Sequence, residues 1–253
     1  MDNLNKILSR FNPVSLTEMS NVQLQNRVDT KYVFEASLLP SILSELIPYY
    51  SILEIESNRF SNYKTLYYDN CKLNSYTQHH NGKSNRIKVR FREYVESNLS
   101  FLEVKFKNNK DRTIKSRIKV KNIEELLSES SKKFIEQHSF YLGNELNPVL
   151  WNNFTRLTLV HKTQKERLTI DLNLSFKAVN NGKEKLLKNT IIAEVKQEKM
   201  SVNSDFIKTI KKYYIRRSSM SKYCIGFALV NEKLKSNNFK ERILKLKKIE
   251  NAA

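Results

Sequence analysis

Chain breakers are scarce: only four glycines and four prolines occur in 253 residues. That leaves no room for a flexible interdomain linker. The longest polar break, Ser128-Glu129-Ser130-Ser131-Lys132-Lys133, is too short to separate independent domains. There are only two cysteines, Cys71 and Cys224, far apart and without metal-ligand spacing. They read as unpaired thiols in a reducing compartment, not as a disulfide scaffold or a zinc site. No apolar run approaches about 18 residues, and no secretory h-region opens the chain, so a cytoplasmic protein is expected. A Gly-rich phosphate-binding loop is also absent.

Acidic residues are few relative to basic ones, 26 Asp plus Glu against 45 Lys plus Arg, giving a net charge of +19. Such a field attracts polyanions, whether nucleic acid, anionic lipid, nucleotide or polyphosphate, and its sign does not choose among them. With 40% hydrophobic and 10% aromatic residues, the chain can bury a substantial core. One domain over 1–253 is expected, with its core at about 27–230.

Period-2 stretches dominate. Strands are predicted at Asn26 to Glu35, Tyr63 to Asp69, Ser84 to Tyr94, Ser100 to Lys107, Thr113 to Val120, Asn152 to His161, Lys165 to Phe176 and Asn189 to Glu198. Asn108-Asn109-Lys110-Asp111 and Asn180-Asn181-Gly182-Lys183 read as turns. Helical spacing marks Ser37 to Tyr50, Ile123 to Phe140, Ser204 to Tyr214 and a basic amphipathic tail at Asn238 to Ile249. The order predicts an α+β protein: an antiparallel, roughly eight-stranded β-barrel with covering helices.

Alternation sorts the charges, because successive side chains of a strand point to opposite faces. Arg86, Lys88, Arg90 and Arg92 share one face, against Ile87, Val89 and Phe91. Glu103, Lys105 and Lys107 oppose Leu102, Val104 and Phe106, and Lys115, Arg117 and Lys119 oppose Ile114 and Ile118. Lys165, Arg167, Thr169 and Asp171 oppose Leu168, Ile170 and Leu172, while Glu194, Lys196 and Glu198 oppose Ile191, Ala193 and Val195. For any one strand the ordinary reading is a charged solvent face over an apolar core face. Together they read differently. Cations stacked on adjacent strands repel unless an anion neutralises them, and the predicted helices can cover the apolar face, leaving a cationic lumen. Arg suits that lumen because its planar fork grips phosphate oxygens in pairs. Glu103 and Glu194, on the cationic faces, are either ligands for a divalent metal or partners of neighbouring Lys.

In this order the residues resemble the VTC-type polyphosphate polymerase domain of the CYTH-like, or triphosphate tunnel, superfamily, over about Arg27 to Gly226. The resemblance is carried by Asp29-Thr30-Lys31-Tyr32, Val89-Arg90-Phe91-Arg92-Glu93-Tyr94, Leu102-Glu103-Val104-Lys105 and Lys115-Ser116-Arg117. Further on it is carried by Phe154-Thr155-Arg156, Arg167-Leu168-Thr169-Ile170-Asp171, Ala193-Glu194-Val195-Lys196 and Ser219-Met220-Ser221-Lys222-Tyr223. It implies a tunnel with the triphosphate of ATP among Lys31, Arg90, Arg92, Lys105, Arg156, Arg167 and Lys222, and Mn2+ or Mg2+ on Glu194. Lys88, Lys115, Arg117, Lys196 and Ser221 would add substrate contacts. Phe154 either lies near the base or packs in the core. Arg27 and Asp29 depart from the superfamily's Glu-x-Glu-x-Lys opening, which leaves a two-carboxylate metal site there in doubt.

The implied reaction moves the γ-phosphoryl of ATP onto a growing polyphosphate chain. A triphosphatase on the same fold and a non-catalytic polyphosphate sensor are the alternatives. Specific nucleic-acid binding is not expected, since inward-facing cations bind duplexes poorly. The tail either caps the barrel or meets an anionic membrane or membrane-protein partner. His79-His80 is expected in a solvated loop.

Overall fold

A computed structural model describes residues 2–21, 27–110, 112–199, 201 and 203–252. Asn26, expected to begin a strand, and Asp111 of the expected turn lie outside them. The chain opens with α1 (Asp2–Leu8), β1 (Pro13–Val14), α2 (Leu16–Asn21), β2 (Val28–Glu35) and α3 (Leu39–Leu46). Next come β3 (Tyr50–Leu53), β4 (Ser61–Asn70), α4 (Asn74–His80), β5 (Arg86–Tyr94), β6 (Leu99–Lys107) and β7 (Thr113–Val120). After α5 (Glu129–His138) follow β8 (Leu146–His161), β9 (Glu166–Ala178), β10 (Glu184–Leu187) and β11 (Thr190–Gln197). The chain closes with α6 (Asp205–Lys212), α7 (Lys222–Val230) and α8 (Lys240–Asn251).

The main ladder is antiparallel and runs β2-β11-β9-β8-β4-β5-β6-β7, with β10 on β9 and β3 bridging β8 to β1. The predicted barrel needs correction: among the described residues β2 and β7 do not pair, so the sheet curls without closing. The free edge of β2 is instead met by the segment before α7. Arg217 bridges Tyr32, and the Ser218 amide donates to the Lys31 carbonyl at 2.8 Å. The curl is real, for Lys31 on β2 and Lys105 on β6 lie close enough to repel each other.

Alternating burial sets the two faces. Outside, Ile87, Val89, Phe91, Leu102 and Val104 are buried under Phe134 and Ile135 of α5. The outer faces of β2, β9 and β11 are covered by α1, α3 and α6 through Leu8, Leu43 and Phe206. Each fully buried side chain of this size contributes about 1.5–3 kcal/mol. The inner face carries the cations, and at one end α7 and α8 pack into it against Phe176, Leu150 and Ile192. Gly226 makes that approach possible, because a Cβ there would collide with the Phe176 ring.

Several sequence-based limits shift for tertiary reasons. The helix from Ser37 stops at Leu46 because Tyr50 pairs with His161. The helix over Ile123 to Phe140 shrinks to α5, since Ser128 caps it and Leu126 stands 90% exposed. His79-His80 is not a solvated loop but the last turn of α4. His80 is buried, its Nδ1 on Asn81 Oδ1 at 2.9 Å and its Nε2 accepting from the Asn238 amide. The tail caps the sheet. Leu246 and Ile249 are buried, and Glu250 accepts from the Asn189 amide and the Thr190 hydroxyl. No described helix is long and apolar enough to cross a membrane.

Candidate functional site: a cationic inner wall

Three carboxylates organise the wall, each holding two cations. Glu103 on β6 stands opposite Arg90 on β5, which grips it through Nε and Nη2 at 2.7 Å, and Lys115 of β7 pairs with its other oxygen. Asp171 on β9 faces Arg156 on β8 in register, bonded at 2.5 and 2.8 Å, and also pairs with Lys222 from the first turn of α7. Glu194 on β11 faces Lys31 on β2 at 2.5 Å and pairs with Lys196 two residues along its own strand. Strand pairing therefore brings together side chains that lie up to about 160 positions apart in sequence.

The electrostatics follow from crowding. Burial pushes each carboxyl up, but the cations outweigh it. Arg90, Arg92 and Lys115 hold Glu103 well below the usual carboxylate range, and Lys196 and Lys31 do the same to Glu194. Arg156 and Lys222 bring Asp171 down to about 2. The amines go the other way. Burial, with repulsion from neighbouring cations, lowers Lys105, Lys115 and Lys222 to about 8 each. Solvent still reaches the side chains of Lys105 and Lys115, so these two sit where chamber and solvent meet.

Arg92 differs from the paired cations. It is 8% exposed, its buried Nε lacks a hydrogen-bond partner, and no carboxylate lies within ion-pair distance among the described residues. Its guanidinium instead lies over the rings of Tyr63 at 5.4 Å and Phe154 at 5.8 Å. Those rings are stacked on each other, 4.9 Å apart and 4° from parallel. Arg156 and Lys222 lean on Phe154 too, at 5.2 and 4.1 Å. Phe154 is thus a buried platform beneath three cations, with one face taken by Tyr63. Burial and the charge of Arg90 make the protonated form of Arg92 less favourable than in water, a cost that an incoming anion would offset.

The remaining expected residues are placed as follows. Lys88 donates to Ser221 Oγ at 2.8 Å, while Ser221 also caps α7 by accepting from the Cys224 amide. Arg167, half-buried on β9 opposite Lys196, is disfavoured as a cation by burial and then by Arg27 and Arg156. Arg117 lies outside the buried groups, on the exposed edge strand, 4.7 Å over Phe101. Sequence reasoning missed Tyr63, Tyr67 and Asp69, which with Thr65 face inward on β4. Tyr67 accepts from Arg90 Nη1 at 3.3 Å, and the alternation of β4 with the cationic β5 was the available signal. An apolar cleft of about 270 Å³ beside Ile207, Ile210 and Ile215 is lined by Tyr32 and Thr30, on the face of β2 opposite Lys31.

No group of three or more His, Cys, Asp or Glu side chains forms a metal-binding cluster among the described residues. Glu103 does not fit a metal, being 1% exposed with its oxygens engaged by Arg90 and Lys115. Glu194 is more open, at 16%, but its two oxygens are also taken, by Lys31 and Lys196, so a Mg2+-like ion completed by phosphate oxygens and water would have to displace a lysine there.

A curled antiparallel sheet whose inner face is lined with Lys and Arg held by buried carboxylates defines a cationic chamber. The model of the VTC domain matches residues 26–231, and the chain belongs to that family. Among curated proteins none matches. Solved structures resemble it distantly. A Bacillus halodurans protein provisionally described as an adenylate cyclase is 11% identical, with 78% of this chain and 96% of that one covered at a TM-score of 0.46. A Hippeastrum protein, provisionally an adenylyl cyclase and described as having a dominant triphosphatase activity, is 11% identical, with 81% and 97% covered at 0.45.

Proposed function

We propose that the inner wall binds the triphosphate of ATP in line with the end of a phosphate chain, and that the protein is a polyphosphate polymerase. The terminal phosphate oxygen of the chain attacks the γ-phosphorus and forms a new P–O bond. The β–γ bridging bond breaks, and ADP leaves with the electron pair. Such a transfer asks little covalent chemistry of the protein; alignment and charge stabilisation provide most of the rate.

The observation that carries this reading is Arg92, a buried guanidinium with no salt bridge of its own and only the longer-range attraction of Glu103, set among neighbouring cations that each have a salt bridge. Arg90, Arg156, Lys31 and Lys222 are already oriented by their carboxylates, so phosphate oxygens meet donors that need little reorganisation. Lys105 and Lys115, at the solvent boundary, would guide the chain. Glu194 would hold Mn2+ or Mg2+, whose charge neutralises phosphoryl oxygens. The fixed donors keep like-charged phosphates in line despite their repulsion, and the buried aromatic platform keeps water from competing with the attacking oxygen.

The test is incubation of purified protein with ATP and Mn2+ or Mg2+, followed by product sizing. Chains retained on dialysis support the reading. Free phosphate alone indicates a triphosphatase, and ligand binding without ATP turnover indicates a sensor.

A further inference from the structure

At the end of the inner face where α7 packs lies a polar knot that adjoins the chamber through the Tyr223 ring. Asp69 is the penultimate residue of β4 and is fully buried. One of its oxygens accepts from the amides of Asn70 and Ser75 at 2.9 Å each; the other accepts from the Tyr76 amide at 3.0 Å and the Tyr223 hydroxyl at 2.5 Å. The carboxylate thus pins two helices at once, the start of α4 through its amides and the first turn of α7 through a phenol.

The second attachment bears on the site. Tyr223 immediately follows Lys222, whose amine meets Asp171, and Ser221, which receives Lys88. The Tyr223 ring also stacks on Tyr67 at 5.2 Å, the residue to which Arg90 donates. Of the inner-wall cations near this ring, Lys222 is the one carried on the adjoining backbone, so its place depends most directly on where the ring stands. A helix start alone requires no such tie, because Ser221 already caps α7. A buried carboxylate is costly unless its acceptor positions are filled, and the phenol fills one of them with a bond that reaches across to β4.

We infer that Asp69 is a positioning residue for phosphate binding, acting through Tyr223 to fix the first turn of α7 so that Lys222 presents its amine to the chamber. This rests on the reading of the wall as a phosphate site but not on any turnover.

The test is calorimetric titration of the full chain with inorganic tripolyphosphate, for wild type, Tyr223→Phe, Lys222→Ala and the double variant, with Asp69→Asn as a second route. Tyr223→Phe keeps the ring and leaves the α4 amides on Asp69, so the fold should survive, as checked by circular dichroism. The expected loss of affinity is about tenfold, the scale of one hydrogen bond to a charged group. The double variant should bind no more weakly than Lys222→Ala alone, since both changes remove the same contact. A merely structural role would give losses that multiply. That result overturns the inference, as does unchanged affinity in both Tyr223→Phe and Asp69→Asn. Absence of tripolyphosphate binding in the wild type would instead overturn the phosphate reading, and the inference with it.

Discussion

Arg156 and Asp171 sit opposite each other in the register of β8 and β9, and the guanidinium grips the carboxylate twice, at 2.5 and 2.8 Å. Lys222 meets the same carboxylate from α7. The pair therefore joins a strand to a helix and fixes two donors with one acid. Replacing Asp171 with Ala leaves two buried cations without a counter-charge. The expected cost is about 3–5 kcal/mol of stability, read by urea unfolding. Tripolyphosphate should raise Tm more in this variant than in wild type, because the ligand supplies the missing charge.

Arg92→Ala should act in the opposite sense on stability. The residue has no salt bridge to lose, and its removal relieves desolvation and repulsion from Arg90, set against the lost attraction of Glu103 and the ring contacts on Tyr63 and Phe154. Thermal melts should show Tm unchanged or raised. Tripolyphosphate affinity, in contrast, should fall by tenfold or more, on the order of one charge-assisted contact. A variant that melts several degrees lower with intact affinity would remove Arg92 from the site.

The three amines lowered to about 8, Lys105, Lys115 and Lys222, give two pH trends of opposite sign. As pH rises through 8 they lose charge in the folded protein, so polyphosphate affinity should fall between pH 7 and 9. Between 8 and the ordinary lysine value of 10.5, the unfolded chain binds more protons than the folded one, so these groups make the empty protein more stable as pH rises there. Calorimetry at pH 8 in buffers of different ionisation enthalpy should show proton uptake on binding. On the acid side, the stability owed to Asp171 is present above the ordinary value of 3.8 and is lost as pH falls through about 2.

Gly226→Ala should push α7 away from Phe176, whose ring occupies the space a Cβ would need. Overpacking of this kind costs about 1–3 kcal/mol. Because α7 delivers Lys222, affinity for tripolyphosphate should fall together with Tm.

Strand alternation made much of the site legible. β5, β6 and β7 were readable because charged and apolar residues alternate without a break from Arg86 to Phe91 and from Leu102 to Lys107. Their pairing in order needed only short turns. Helix α7 was not readable from its pattern, since Lys222 to Val230 is apolar nearly all round and has no single stripe. It is buried on most sides, and only the surrounding sheet defines its inner face. Likewise β8 begins at Leu146, before the predicted Asn152, because β4 pairs with it through Pro148 across an irregular register. The role of Asp69 depends on a hydrogen bond to a residue 154 positions away, which no local pattern encodes. The family resemblance and the family model agree over nearly the same span, to within a few residues at each end.

The unfastened margins of β2 and β7 bear on how the enclosure meets guests of different bulk. A cylinder sealed by backbone bonds all round has a girth fixed by its strand count and stagger. Among the described residues no main-chain bond ties β2 to β7, so widening the passage ruptures no rung of the ladder. Lys31, held on β2 by Glu194, and Lys105 on β6 repel each other across the interior, so a polyanion lodged between them would draw the two sides of the sheet together.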